Sequence, residues 1–268
     1  MTTLIFGGGI GVSRFRRRWR HAALPLVGLA IGLAIWWALV VILSKGSSVI
    51  AEFSPASGLS QLWVGLSNGV LLRHAGASLI RVAVGLAIAV CVAVPLGLLL
   101  GLRKRLELAT SAVFQFIRMI SPLSWMPIAV MVFGVGDLPV FFLLSVAAVW
   151  PILLTIITAV RSVNPLYIKV AQSFAADPLE VVVRIVLPAI RPNLLASIRV
   201  AVGLIWVVLV PAEMLGVSSG LGYLILDCRD RLAYGELTAA LLLIGLIGWA
   251  LDASLRALTQ PRISGESH

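Results

Sequence analysis

Long apolar stretches constrain this chain more than any other feature of its sequence. A helix that crosses a membrane needs about 20 mostly apolar residues, and three such stretches carry no charge: Ala22–Leu43, Val82–Leu102 and Leu138–Val160. Three more carry ionisable residues: Leu108–Val135 contains Arg118, Val200–Leu215 contains Glu213, and Leu237–Leu258 contains Asp252 and Arg256. Runs of this length without alternation do not fit the strands of a membrane β-barrel. The sequence therefore predicts an all-α, polytopic membrane protein with six transmembrane helices.

The composition excludes an ordinary soluble protein. Of the 268 residues, 60% are hydrophobic and 12% are charged, whereas a soluble domain has about 25% charged residues. A single soluble core of this length could not bury so much apolar surface. The same composition excludes a disordered chain and a small disulfide-linked scaffold.

The distribution of Lys and Arg predicts the orientation of the helices, because cytoplasmic segments of membrane proteins are enriched in these residues. If both termini are cytoplasmic, the inner segments hold the cation clusters at 14–20, 103–105, 161–191 and 256–262. The outer segments then hold only Lys45, Arg73, Arg229 and Arg231. We therefore expect an N-in, C-in topology. The net charge of +10 is then an orientation signal, and no nucleic-acid partner is expected, since the cations are divided among several loops.

The spans divide the chain into four expected parts. They are a basic cytoplasmic tail at 1–21, the first transmembrane helix and an outer loop at 22–74, a core of five transmembrane helices at 75–258, and a cytoplasmic tail at 259–268. The chain has no Walker A, zinc-protease or nucleophile-elbow motif, and its histidines are too scattered to predict a metal site. We therefore expect no catalytic residue, no metal and no cofactor.

The inner loop at 161–191 carries helix-start signals between two predicted spans. Asn164-Pro165 predicts an N-cap followed by proline in the first turn, and Asp177-Pro178 repeats this signal. A helix at 165–176 places Leu166, Val170 and Phe174 on one face, and a second short helix would end at Leu187-Pro188. The apolar face of the first helix could lie on membrane lipid, or it could fill a groove on a cytosolic partner.

The same loop resembles the EAA loop of ABC importer permeases. That pattern reads E-A-A, three residues, G, nine residues, I-x-L-P, and the spacing fits Lys169-Val170-Ala171, Ala175 and Ile185-Val186-Leu187-Pro188. Ala171, Ile185, Leu187 and Pro188 match by type. Lys169, Val170 and Ala175 depart from the pattern, since they stand where the family has Glu, Ala and Gly.

Further motifs resemble the sulfonate, taurine, nitrate and bicarbonate branch of these permeases. They are the stretches at 77–82, 95–97, 121–127, 133–136, 211–216 and 220–223, which include Ser121-Pro122-Leu123-Ser124-Trp125-Met126-Pro127 and Pro211-Ala212-Glu213-Met214-Leu215-Gly216. The resemblance covers residues 75–258. It implies the type I ABC importer permease fold with a cytoplasmic coupling helix, located in the bacterial inner membrane.

The resemblance also implies partners. They are a second permease copy in a homodimer, two ATPase subunits that hydrolyse ATP, an extracytoplasmic substrate-binding protein, and membrane lipid. The residues implied for ATPase coupling are Leu166, Lys169, Val170, Ala171, Phe174, Ala175 and Asp177. Import would proceed by alternating access. A self-contained secondary transporter or channel is the alternative, although no internal repeat is visible in the sequence.

Ionisable residues inside spans are candidates for the translocation path. The candidates are Arg81, Arg118 and Glu213, together with Trp125 and Met126 between the two prolines of the third span. A cation in the path would attract a small oxyanion such as nitrate, a sulfonate, taurine or bicarbonate. The alternatives are a structural pairing of Arg81 or Arg118, for instance with Glu213, and ordinary interhelical packing of Trp125 and Met126.

Overall fold

The structure is a computed structural model that describes residues 27–28, 30–44 and 48–259. Within these ranges every regular element is helical. The helices are α1 (Ala30–Leu43), α2 (Ser48–Ala51), α3 (Pro55–Ser67), α4 (Val70–Leu102), α5 (Lys104–Arg118), α6 (Met126–Phe133), α7 (Asp137–Ser162), α8 (Pro165–Ser173), α9 (Pro178–Val181), α10 (Leu187–Gly216), α11 (Leu221–Asp230) and α12 (Tyr234–Thr259). The predicted all-α architecture is confirmed for these residues.

Four of these helices are long and apolar enough to cross a membrane. They are Val70–Leu102, Asp137–Ser162, the continuous stretch Pro178–Gly216, and Tyr234–Leu258, and the bent pair α5 and α6 makes a fifth if it counts as one span. The first predicted span, Ala22–Leu43, begins outside the described residues, and its described part contains the shorter apolar helix α1. The structure therefore supports a multi-pass protein with four to five described spans.

Helices α4 and α7 run parallel and pack closely along their length. Three glycines of α4 each face one large side chain of α7: Gly85 faces Leu144, Gly97 faces Ile156, and Gly101 faces Val160. A Cβ at each glycine would lie only 2.7 Å from the facing side chain, so the glycines permit this close approach. Because the two helices are parallel, the segment between them must carry the chain back to its starting side.

That returning segment is broken. The sequence predicts one span at Leu108–Val135, whereas α5 and the following segment Pro122–Phe133 meet at an angle of 86°. A 3₁₀ turn at Pro122–Trp125 begins the second half. Pro122 and Pro127 each lack the backbone N–H that a continuous helix would use. The sequence predicts a kink in this span at Pro122 and Pro127, and the structure bends the span by 86° just before Pro122.

Helix α10 lies antiparallel to α7 and completes the core. The backbone N–H of Gly136 donates to the carbonyl of Gly216 over 3.0 Å, which joins the start of α7 to the end of α10. Fully buried side chains of the two helices belong to the same hydrophobic core: Leu143, Ile152, Ile205 and Leu209. Helix α12 packs against α10, where Gly248 faces Trp206, and against α3, where Thr238 faces Gly58.

Two segments predicted as loops are largely helical. The expected outer loop at 44–73 contains α3, which Ser54 caps by accepting from the backbone N–H of Ser57 over 3.2 Å. Helix α4 also begins at Val70, well before the predicted start at Val82. The expected loop at 216–230 contains α11. Hydropathy missed α3 and α11 because both are short and carry polar residues.

Candidate functional site

Two groups of predicted residues lie at opposite ends of the long helices. Arg81 and Glu213 lie beside Asp137, the first residue of α7, and we call this the Arg81 end. Helix α8 follows the last residue of α7, and we call this the α8 end.

Arg81 at the Arg81 end has every donor of its guanidinium occupied. The group offers five N–H donors. Nε donates to Asp137 over 2.8 Å, and Nη1 donates to Glu213 and to the carbonyl of Ser219, each over 2.7 Å. Nη2 donates to the Ser219 hydroxyl over 2.8 Å and lies 2.7 Å from Asp137. The side chain is 4% exposed, so its charge is buried but fully hydrogen-bonded.

Glu213 is the buried anion of the same network. It is 0% exposed and accepts from Arg81, from the Ser78 hydroxyl over 2.8 Å, and from the backbone N–H of Gly222 over 2.9 Å. The Ser78 hydroxyl oxygen in turn accepts from the backbone N–H of Leu221 over 2.9 Å. These bonds connect α4, α10 and the start of α11.

Two glycines make room for this network. Gly220 has a φ of +110°, a backbone conformation that L side chains rarely adopt, and a Cβ there would overlap the carboxylate of Glu213 and the guanidinium of Arg81. A Cβ on Gly222 would overlap the carbonyl of Val210. The glycine-rich turn is therefore required for the chain to close over the ion pair.

In this network Arg81 pairs with Glu213. The sequence offers this structural pairing as the alternative to a role in the translocation path. The structure brings these two candidates together and leaves the Arg81 guanidinium no free donor in this conformation. The network joins four helices at one end of the core, because Arg81 belongs to α4, Glu213 to α10, Asp137 to α7 and Gly222 to α11. Asp137, Ser78 and Ser219 are not recognisable as partners from the sequence, since each is distant from Arg81 or Glu213 along the chain.

Helix α8 is a short capped helix at the other end. The side chain of Asn164 accepts from the backbone N–H of Leu166 over 2.9 Å, and Pro165 occupies the first turn, as the sequence predicts. The helix ends at Ser173, earlier than the predicted end at 176. Its outward side carries a stripe of exposed apolar side chains: Leu166, Tyr167, Val170 and Phe174, of which Phe174 is 83% exposed.

The inward side of α8 attaches it to the core. Ile168 and Ala171 are half-buried and pack against the hydrophobic core. Ala171, which the resemblance implies for ATPase coupling, therefore lies on the attachment side of α8. Tyr167, which the sequence interpretation omitted, belongs to the outward stripe. Lys169 is exposed.

Ala175 occupies a backbone position that favours glycine. Its φ is +56°. The backbone N–H of Ala176 donates to the carbonyl of Ala171 over 3.1 Å, and that of Ala175 donates to Gln172 over 3.0 Å. This bonding is the Schellman ending, in which the left-handed residue after the helix is usually glycine. The resemblance places the family glycine at this position, so the local geometry of the motif is retained in spite of the substitution.

Replacing Ala175 by glycine is expected to raise stability by about 0.5–1 kcal/mol, because the left-handed conformation strains a residue with a Cβ. Thermal unfolding of the purified protein in detergent measures this effect. Ala176→Gly serves as the control, and we expect it to lower stability because Ala176 packs against the core. A lower midpoint for Ala175→Gly than for the parent would contradict the assignment.

The second helix of the inner loop differs from its prediction. It starts at Pro178, after Asp177, as expected, but it does not stop at Leu187-Pro188. A π-helical turn at Val182–Val186 leads directly into α10. Pro188 closely follows this π-helical turn. The two segments therefore form one long helix, Pro178–Gly216.

The remaining candidates lie around the break between α5 and α6. Arg118 is exposed at the last residue of α5. Met126 is buried and lies against Gly216, as the packing alternative requires. The indole nitrogen Nε1 of Trp125 is buried without a hydrogen-bond partner in the described part of the chain. The structure thus separates Arg118 from Arg81 and Glu213.

A small cavity of about 240 Å³ lies between α3, α11 and α12, with Gln61, Asn68, Arg231 and Glu236 in its wall. Hydrogen bonds to Asp227 and Glu236 raise the pKa of Arg231, and burial raises the pKa of the nearby Cys228 thiol to about 11. At neutral pH the thiol is therefore protonated and the charged groups are paired. Within the described residues no group of His, Cys, Asp and Glu could hold a metal ion.

The fold and the two ends define a multi-pass membrane protein with a capped helix exposed at one end. The family model described as "Binding-protein-dependent transport system inner membrane component" matches residues 93–260. Because this match covers more than half of the chain, the protein belongs to that family, the permease components of ABC importers.

The chain is similar to three named permeases over most of its length. It is 32% identical to the bicarbonate transport system permease protein CmpB of Synechococcus elongatus over 90% of both chains. It is 31% identical to the nitrate import permease protein NrtB of that species over 85% of both chains, and 28% identical to the taurine transport system permease protein TauC of Escherichia coli over 91% of both.

A solved structure supports the fold. An inward-facing conformation of the MetNI methionine ABC transporter matches with a TM-score of 0.55, covering 71% of this chain and 96% of that chain. The sequence identity is 19%, so this likeness concerns the fold alone.

Proposed function

We propose that this protein is the transmembrane subunit of an ATP-driven importer for a small oxyanion. The observation that carries the proposal is α8, a capped helix with an exposed apolar stripe at the end of the helix bundle. Apolar stripes of this kind fill grooves on partner proteins. A self-contained transporter would need no such docking element.

The proposed topology has six spans with both termini in the cytoplasm of a bacterium. The cation distribution in the sequence supports this orientation, and the four long helices together with the bent pair supply five of the six spans. The stretch that contains α1 would supply the first. In this orientation α8 lies in the cytoplasm and the Arg81 end faces outward.

We propose that the α8 end and the Arg81 end each bind a different kind of partner protein. Two separate ATPase subunits would receive the α8 stripes of a permease homodimer, and ATP hydrolysis would take place on those subunits. A helix seated in a groove transmits motion because packed interfaces have discrete arrangements. Lys169, where the family has Glu, would require an acidic residue in the ATPase groove. An extracytoplasmic binding protein would deliver substrate at the Arg81 end.

The proposed substrate class is nitrate, bicarbonate, or a sulfonate such as taurine. The names of the three relatives support this class. The cation Arg118, which has no ion pair among the residues that the structure describes, also suits an anionic substrate. In the described conformation Arg81 and Glu213 form a buried ion pair with each other. Arg118 and Trp125 are therefore the stronger candidates for the translocation path.

A transport assay tests this proposal. The chain is reconstituted into liposomes with the ATPase and binding protein encoded beside it, and accumulation of labelled nitrate, bicarbonate and taurine is measured. We expect ATP-dependent accumulation of one of the three, reduced by an excess of the same unlabelled anion. The control is an ATPase variant that binds ATP without hydrolysing it. Failure of all three substrates to accumulate would refute the proposed substrate class.

A further inference from the structure

A polar cavity lies between α5 and α7, away from the Arg81 network. The two helices contact each other through an ion pair between Arg161 and Glu107 at 2.6 Å and through the rings of Phe114 and Trp150 at 5.8 Å. Beside these contacts the helices diverge around a cavity of about 250 Å³. The residues in its wall are Glu107, Ser111, Phe114, Gln115, Arg118, Leu154, Ile157, Thr158 and Arg161.

Arg118 lies at membrane depth in this cavity. Phe114 packs against Trp150, near the middle of α7, and Arg118 lies one helical turn beyond Phe114. The guanidinium has no hydrogen bond or ion pair with any part of the chain that the structure describes. An unpaired arginine at this depth is costly, and such residues face water-filled cavities or bind a partner of opposite charge.

The charges of the other two ionisable residues in the cavity wall cancel each other. Glu107 is paired with Arg161, so Arg118 leaves the wall with one uncompensated positive charge. The hydroxyls of Ser111 and Thr158 donate to backbone carbonyls of their own helices, over 3.1 Å and 2.8 Å. Among the described residues, the donors of the wall that have no hydrogen-bond partner are the guanidinium of Arg118, the side-chain amide of Gln115 and the remaining N–H groups of Arg161, whose charge Glu107 already balances.

From these features we infer that the cavity binds one monovalent, planar oxyanion, held by Arg118 and Gln115. A guanidinium offers parallel N–H donors that match two oxygens of a planar anion, and one uncompensated charge suits one negative charge. The volume holds such an anion with several waters, because a water in the liquid takes about 30 Å³. This inference rests on the proposed function and assigns the place where the oxyanion is held within the membrane.

Anion binding to the purified full-length chain, with the subunits that co-purify with it, tests the site. Isothermal titration with sodium nitrate, sodium bicarbonate and sodium sulfate at constant ionic strength is the measurement. We expect nitrate or bicarbonate to bind more tightly than sulfate. Arg118→Gln should weaken that binding by about tenfold or more, since a hydrogen bond to a charged group is lost, and Arg118→Lys should weaken it less.

Arg105→Gln is the matched control, because Arg105 is an exposed arginine on the same helix outside the cavity wall. Its anion affinity should equal that of the parent, and thermal unfolding should be the same for all variants. Absence of nitrate and bicarbonate binding would overturn the site, and so would equal affinities of the parent and Arg118→Gln. An equal loss in Arg105→Gln would also overturn it, because general electrostatics would then explain the binding.

ATP-dependent uptake by the reconstituted complex separates this inference from the proposed function. If the parent and Arg118→Gln accumulate the anion equally and neither binds it in the titration, the cavity assignment fails and the importer proposal stands. If the parent binds the anion through Arg118 but no ATP-dependent uptake occurs, the importer proposal fails and the anion site stands.

Discussion

Replacing Glu213 by alanine is expected to destabilise the protein by about 3–5 kcal/mol, the usual cost of removing one partner from a buried ion pair. Glu213 is 0% exposed and Arg81 is 4% exposed. Among the described residues, the substitution would leave the buried guanidinium with the more exposed Asp137 as its carboxylate partner. It would also leave the Ser78 hydroxyl and the Gly222 N–H without their acceptor. The measurement is thermal or denaturant unfolding in detergent, followed by intrinsic fluorescence.

Glu180→Ala is the matched control for this prediction. Glu180 also pairs with an arginine, Arg184, at 2.9 Å, but that pair is largely exposed, so its loss should cost at most about 1 kcal/mol. The double variant Arg81→Met with Glu213→Leu should be more stable than Glu213→Ala, because it leaves no unpaired buried charge. Equal stability of Glu213→Ala and Glu180→Ala would show that the network does not stabilise the fold.

Phe174→Asp is expected to abolish uptake by the assembled transporter. Phe174 is 83% exposed on the outward stripe of α8, and burying such a side chain in a partner contributes about 1.5–3 kcal/mol. An aspartate in an apolar groove adds a desolvation cost. Association with the ATPase should therefore weaken by at least about tenfold. Co-purification of the ATPase with the tagged permease measures association, and vesicle uptake measures its consequence.

Gln172→Asp is the control for this second prediction. It introduces the same charge on the same exposed helix but outside the apolar stripe. We expect this variant to retain most of the ATPase and most of the uptake. Both variants should unfold at the same temperature as the parent, because both positions are exposed. Undiminished co-purification of the ATPase with Phe174→Asp would refute docking through the stripe.

Local signals explain what the sequence predicted well. Asn164-Pro165 and Asp177-Pro178 each precede a helix with proline in its first turn, and the Asn164 side chain caps the first of them. Such signals act through neighbouring residues only. The charge-free stretches likewise identify α4 and α7, since about 20 apolar residues suffice to recognise a span. The family resemblance was confirmed by the match over residues 93–260.

Long-range geometry explains what the sequence missed. Arg81 and Glu213 are 132 positions apart, and their pairing requires the parallel packing of α4 and α7 and the turn at Gly220. The two prolines predict a kink in the third span, but not its angle of 86°, because hydropathy does not reveal the angle between two half-helices. The spacing of apolar residues also does not say which side of α8 packs against the core, where Ile168 and Ala171 lie.

The most direct test of the account is the energy source of transport. Liposomes containing this chain alone are compared, under an imposed proton or sodium gradient, with liposomes containing the chain, its ATPase and its binding protein supplied with ATP. The account predicts accumulation of the oxyanion by the complete complex and none by the chain alone under either gradient. Gradient-driven accumulation by the chain alone would contradict it and would identify a self-contained transporter.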